Sequence, residues 1–254
     1  MTERGRDSVS RTAEQLVIGP SQLKWMGDHL RIDLNEISVP LPKRVLGTVR
    51  VYPHALFTYS NALDDQGKHR WGPIAPCARV EVDLEQPGLK WQGHGYLDSN
   101  EGDELITVPF KIWDWSRARL ADGSTAVIYD VTQTNGVQTV LAERFKPDGT
   151  HESFTPAAQR EQLPRTWWRV DRGVRSGGAA HDDAASSTPP SPTPPTPPSK
   201  ILDTLEDTPF YARSLLQTTL LGERVTAVHE TLEPLRLRGL GVRMMLPWRM
   251  PRRA

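Results

Sequence analysis

The chain has one cysteine, no net charge and no long apolar run, and each shortage excludes something. Cys77 alone cannot form an intramolecular disulfide; this fits a reducing compartment, and the residue reads as a small buried side chain rather than a nucleophile. Lys plus Arg and Asp plus Glu number 31 each, so no global basic field exists to recruit nucleic acid. No run of eighteen apolar residues occurs, so no helix is expected to span a membrane. The start, MTERGRDSVSRTAEQ, has no apolar stretch behind its charges and does not read as a secretory signal. The seven histidines are scattered without a pair at zinc-like spacing. Phosphate loops and a GxSxG elbow are absent; GLGV at 239–242 is too short and lacks a following helix. No metal and no cofactor are therefore expected.

What is present reads as strands. Leu30–Leu34 alternates apolar with polar, Ile37-Ser38-Val39 continues it, and Pro40 and Pro42 close it. Val45–Val51, Arg79–Leu84, Ala126–Val131 and Val137–Ala142 are further strands, the last two joined by an Asn135-Gly136 turn. Pro87-Gly88 turns the chain back into Leu89-Lys90-Trp91. Leu215–Leu221 and Arg224–Glu230 read as two antiparallel strands around Gly222. No long helix shows a 3.6-residue pattern. Short, regularly spaced strands with turn punctuation predict an antiparallel sandwich or barrel.

Residues 174–200 differ in kind. SSTPPSPTPPTPPSK has nothing apolar to bury, and a disordered or polyproline-II insert is expected there. The end, with Arg243, Arg249, Arg252 and Arg253 among Met, Leu and Trp, reads either as a bilayer-contacting tail or as a last strand with a basic end.

The segment Trp91–Arg117 carries the chemistry. It holds three tryptophans, one tyrosine and five carboxylates in twenty-seven residues. Apolar rings displace water from a neighbouring acid, which then keeps its proton toward neutral pH. Read as a strand, the stretch from Trp91 to Asp98 puts His94, Tyr96 and Asp98 on one face. Trp113 and Trp115 share a face, and Asp114 points the opposite way. The plainer reading is an aromatic core rimmed by solvated acids around a turn at Ser99–Asp103, with Glu101 and Asp103 holding that turn. Glu206 and Asp207 read as closing the site or as a turn cap.

Four blocks resemble the carotenoid 1,2-hydratases, or hydroxyneurosporene synthases: APCARVEV at 75–82, GHGYLDSNEGDE at 93–104 with WDWSRA at 113–118, LEDTPFYARSLL at 205–216, and VRMMLPWRMPRRA at 242–254. MTERGR and GTVRVYP add to the likeness. The resemblance implies an all-β fold of tandem lipocalin-like (calycin) antiparallel barrel units. The first, at 1–72, is expected to be N-terminally short, because family members carry residues ahead of the point matching MTERGR. The second, at 73–254, is expected to hold the site. The resemblance further implies cofactor-free hydration of the terminal double bond of an acyclic carotene such as neurosporene or lycopene.

Hydrating an isolated alkene needs an acid, a wall that tolerates a cation and one placed water. Asp98 is the expected acid, with Tyr96 bonding it or placing the water. Trp71, Trp113 and Trp115 are the expected aromatic wall, His94 adds to the substrate surface, and Asp114 is the second acid candidate. The competing expectation is a lipocalin-like carrier of an apolar ligand; a carboxylate-pair glycosidase is weaker, since no sugar platform is readable. The expected partners are the carotene, water and a membrane surface touched peripherally from the cytoplasm.

Overall fold

A computed structural model describes residues 2–38, 41–177, 179–180, 197–245 and 250–252. The class is the expected one: nearly every regular element is a strand, and the sheets are antiparallel but for one short parallel pair and one bridge. Among the described residues the one α-helix is Leu240–Met245, and none is long and apolar enough to cross a membrane.

Two compact units interleave in sequence. One comprises Met1–Thr58, Pro73–Asp98 and Arg243–Ala254; the other comprises Tyr59–Gly72 and Ser99–Val242. The sequence reading put the boundary between 72 and 73. The interleaving follows from strand length: His69–Gln86 is a single 18-residue strand that runs through that point.

In the first unit, Val9–Arg11, Gln15–Ile18, Ser21–Trp25, Leu30–Ile37, Arg44–Pro53 and the later part of His69–Gln86 form an antiparallel meander. The alternation read at 30–34, with that of Arg79–Leu84, builds the core. Leu30, Ile32 and Val49 turn inward on a core of Val51, Ala75, Ala78, Val80 and Val82. The strand Leu89–Gly102 pairs back on His69–Gln86 through the Pro87-Gly88 turn. Thr2–Arg4 pairs in parallel with Met250–Arg252, so the chain ends on a strand as one reading held; Arg249 and Arg253 lie outside the described residues.

In the second unit the sheet order is Ala179–Ala180, His151–Thr155, Gln138–Phe145, Thr125–Gln133, Phe110–Arg119, Glu223–Leu232, Tyr211–Leu220, Lys200–Asp207. Leu221 and Gly222, at φ of 49° and 81°, make the expected tight turn, which needs two residues in the left-handed region. The core is small and aliphatic, with Ala118, Ala126, Ile128, Ala142, Leu216, Leu220 and Ala227 among its members.

Two expectations are corrected. Most of the expected proline-rich insert, 181–196, lies outside the described residues, but its flanks are built into the fold. Gly173–Val174 pairs with Glu161–Gln162, Gly177 bridges Leu220, and Ala179–Ala180 pairs with Phe154–Thr155. Val174 has apolar surface to bury and joins the core, which compositional reasoning about the stretch as a whole overlooked. Ser99–Gly102 is strand, not turn. Glu101 and Asp103 hold no turn there; Arg70 engages them instead, at 3.9 Å and 3.1 Å.

Candidate active site

In the first unit the strand Leu89–Gly102 presents its two faces as the arithmetic required. A Cβ on Gly95 would lie 3.3 Å from Val80, and Leu97 packs on the Val80–Val82 core. His94, Tyr96 and Asp98 therefore take the opposite face. There the Tyr96 hydroxyl donates to Asp98 Oδ2 at 3.0 Å. Both residues are half-buried and His94 is exposed. The phenol thus fixes that oxygen of the carboxyl.

In the second unit the expected aromatic residues meet. Trp71, only 1% exposed, packs on Tyr129 at 4.9 Å and on Phe145 at 6.0 Å between ring centres. Trp113 and Trp115 flank the same Tyr129 at 5.6 Å and 6.3 Å, and Phe110 closes on Trp113 at 4.8 Å. This layer forms because residues 113, 115, 129 and 131 face one way from two adjacent strands: Trp113 stands opposite Val131 and Trp115 opposite Tyr129.

Asp114 faces the other way, as expected. It stands opposite Asp130 on one neighbour and Thr231 on the other. Arg160 donates to Asp114 Oδ2 through Nε at 2.8 Å and Nη2 at 2.5 Å, and Thr231 donates to Oδ1 at 2.5 Å. Burial pushes the Asp114 carboxyl up to about 6 against the opposing pull of Arg160 and Thr231. Asp130 accepts from Arg175 at 2.6 Å and from Gln138 at 2.7 Å. Arg172 donates to the Ser214 hydroxyl at 2.8 Å and to the Pro164 carbonyl. His229 is 1% exposed, and its Nε2 donates to the Gly173 carbonyl at 2.8 Å. Burial lowers it to about 4, so the ring is neutral at pH 7. The interior of this sheet is thus a polar network clamped by arginines from the 156–177 segment.

That network was missed in the sequence, and so was one further pair. Asp64 Oδ2 accepts from the His69 backbone N–H at 2.6 Å and lies 3.2 Å from His69 Nδ1, while Oδ1 accepts from the N–H groups of Gln66 and Lys68. With Nδ1–H held by the carboxylate, Nε2 is a proton acceptor. It is buried without a hydrogen-bond partner among the described residues, beside the edge of Phe110. The signal available for this pair was DDQGKH, where an Asp three residues before a Gly marks a side-chain-closed turn. The arginines offered none, since they sit in irregular segments without periodicity. Glu206 and Asp207 end a strand; Asp207 accepts from the Trp168 backbone N–H at 3.3 Å. Among the described residues no group of His, Cys, Asp and Glu is placed to hold a metal. A cleft of about 970 Å³ in the first unit is lined by Arg4, Val9, Asn35, Glu36, Ile37 and Arg44 among others, and by none of the expected site residues.

Comparison with known proteins bears out the resemblance read from the sequence. The family model described as carotenoid hydratase CrtC matches residues 1–254. An acyclic carotenoid 1,2-hydratase of Rubrivivax gelatinosus is 53% identical over 254 residues, covering all of this chain and 58% of that protein. The Thiocapsa roseopersicina protein of the same name is 47% identical over 99% of the chain and 58% of its own length. That of Cereibacter sphaeroides is 36% identical over the whole chain and 84% of its own length. The chain therefore spans little more than half of the first two relatives. A solved structure of a putative AttH from Nitrosomonas europaea superposes with a TM-score of 0.58 at 12% identity, over 90% of this chain and 72% of that one; it shares the lipocalin-like all-β fold. The chain belongs to the carotenoid hydratase CrtC family.

Proposed function

We propose that this chain adds water across the terminal 1,2 double bond of an acyclic carotene such as neurosporene or lycopene, with Asp98 as the acid. Asp98 gives its proton to C2. The electron pair of the double bond forms the new C–H bond and leaves a tertiary cation at C1. Water attacks C1, and its surplus proton returns to a carboxylate, so atoms and charge balance without any electron transfer. Tyr96 orients the acid. Trp71, Trp113 and Trp115, the rings expected from the sequence to favour a passing cation, pack together around Tyr129 in the second unit. His94 adds to the substrate surface. A C40 hydrocarbon is insoluble in water, so the reading includes peripheral contact with a membrane.

The observation that carries this reading is the Tyr96–Asp98 hydrogen bond on a half-buried strand face, within one of the blocks that carry the resemblance to the family. Asp114 we assign to structure. Its two oxygens already take an arginine fork and a hydroxyl, and it faces away from the rings. The test is incubation of the purified chain with detergent-dispersed lycopene in deuterium oxide. The expected product is heavier by one D₂O, with deuterium at C2 and oxygen at C1. Tight binding of lycopene with no such product would instead make the protein a carrier.

A further inference from the structure

One end of the second unit carries apolar side chains with no internal use. Residues 166–170 form a closed hairpin tip. Arg169 N–H donates to the Thr166 carbonyl at 2.9 Å, and Val170 N–H donates to the Thr166 hydroxyl at 3.1 Å. Thr166 and Val170 are buried, whereas Trp167 at the tip is 81% exposed. The tip is held firmly. Arg236 donates to the carbonyls of Trp168 at 2.9 Å, Pro209 at 3.0 Å and Arg169 at 2.7 Å, and is itself fixed by Glu233 at 2.7 Å. Arg169 stands at φ 62°, a backbone state that a residue other than Gly keeps only where its surroundings impose it.

The same clamp gathers neighbouring tips. Arg238, two residues on, donates to the Thr107 carbonyl at 2.6 Å. This brings in the 105–108 turn, with Leu105 75% exposed, and Leu240 stands 74% exposed just beyond. The charges here are unequal. Arg165 is paired with Asp171 at 3.3 Å and Arg236 with Glu233. Among the described residues Arg169 and Arg238 have no ion-pair partner, and neither has Asp207, which accepts from the Trp168 N–H at 3.3 Å; Arg165, Arg169, Arg236 and Arg238 thus outnumber Asp171, Glu233 and Asp207 at the rim.

We propose that this rim, with Trp167 as its anchor and Leu105 and Leu240 beside it, is the surface that docks on an anionic lipid bilayer. A rigid tryptophan with arginines around it is the composition suited to the headgroup layer: the ring enters the apolar boundary while guanidinium groups stay with phosphates. A protein partner would draw on the arginines only by presenting acids at matching positions, whereas an anionic headgroup layer offers phosphates to each of them. The proposal deepens the membrane contact of the proposed function and rests on that reading for its choice of partner.

The test is flotation of the full chain with phosphatidylcholine vesicles and with phosphatidylcholine–phosphatidylglycerol vesicles, at low and high salt. The parent protein is expected to float with the anionic vesicles at low salt. Trp167→Ser, at an exposed site, leaves the thermal melting unchanged and is expected to weaken partitioning by roughly tenfold. Arg169→Asn, which tolerates the left-handed backbone, is expected to weaken it by roughly fivefold at low salt and little at high salt. If the parent floats and Trp167→Ser floats equally well, the surface is misassigned although the membrane contact stands. If the parent floats with neither vesicle, both the surface and the contact fall, while hydration of detergent-dispersed substrate is judged separately.

Discussion

In the second unit a carboxylate, Asp114, is met by a guanidinium fork and a threonine hydroxyl on the buried face of a sheet. In the first unit Asp98 is met by a phenol on a half-buried strand. Asp114 is the more deeply buried, and burial raises it to about 6; by that criterion alone it would be chosen as the acid. Its partners argue otherwise. A carboxylate bound to Arg160 exchanges its proton only by breaking that pair, and the energy of burial is spent on structure. In the proposed reaction the donor needs a carboxyl fixed by a neutral group, and the group bonded to Asp98 Oδ2 is the Tyr96 phenol. Burial raises a carboxyl's proton affinity; the neighbouring groups decide whether the proton is deliverable.

The sharpest way to break this contrast is to remove Asp114. Asp114→Ala leaves Arg160 and Thr231 facing a cavity, and is expected to cost about 3–5 kcal/mol of stability, read from the urea midpoint. Hydration per folded molecule should be little changed. A folded Asp114→Ala protein of normal stability and no turnover would reverse the two roles.

Next in size is the pH response of the network around Asp114. His229 falls from its ordinary 6.5 to about 4 in the folded protein. Between those values the unfolded chain binds the extra proton, so this histidine's contribution to stability is lost as pH drops from about 6.5 to about 4. Asp114 acts in the opposite sense. Raised from 3.8 to about 6, it holds a proton in the folded state that the unfolded chain has released, so its contribution fades as pH rises across that window. The two nearly cancel between pH 4 and 6. His229→Gln removes one side of the balance. Relative to the parent, the variant is expected to gain about 3 kcal/mol at pH 4 compared with pH 7, seen in parallel denaturation curves. Equal pH slopes for parent and variant would show that His229 is not held neutral by burial.

The sequence made one half of the contrast readable and hid the other. Alternation at Leu30–Leu34 and Arg79–Leu84 set strands with a correct inward face, and the i, i+2 count put Tyr96 beside Asp98 and turned Asp114 away from Trp113 and Trp115. These are local regularities. Two features were not local. Pro73 and Pro76 hid the continuity of His69–Gln86; they fall between the stretch that pairs with Asn61–Ala62 and the stretch that pairs with Arg44–Pro53. The clamps of Arg160 on Asp114 and Arg175 on Asp130 join residues 46 and 45 positions apart. An arginine in an irregular segment gives no sign that it will be buried, because its burial depends on a carboxylate supplied by another strand.

The catalytic side of the contrast is tested by Asp98→Asn. The amide keeps the shape and accepts the Tyr96 hydrogen bond but has no proton to give. Turnover of dispersed lycopene is expected to fall by at least about a hundredfold, with the urea midpoint unchanged. Near-parent turnover by a well-folded Asp98→Asn protein would end the assignment of the acid.

Tyr96→Phe probes the smallest effect and the finest distinction. If the phenol only fills space on the strand face, losing its oxygen changes neither turnover nor stability noticeably, since Tyr96 is half-buried and its ring is retained. If it orients the acid, one hydrogen bond worth about 1 kcal/mol is lost from the reacting geometry, and turnover should fall by roughly fivefold to tenfold. The loss should appear in kcat rather than KM, because the hydroxyl bonds to Asp98 and the ring that meets substrate is kept. In the Asp98→Asn background the same change should have almost no further effect, since the group it positions no longer carries a proton. Additive losses in the double variant would mean that Tyr96 acts on the water or the substrate independently of Asp98, and the pair would have to be treated as two separate contributions.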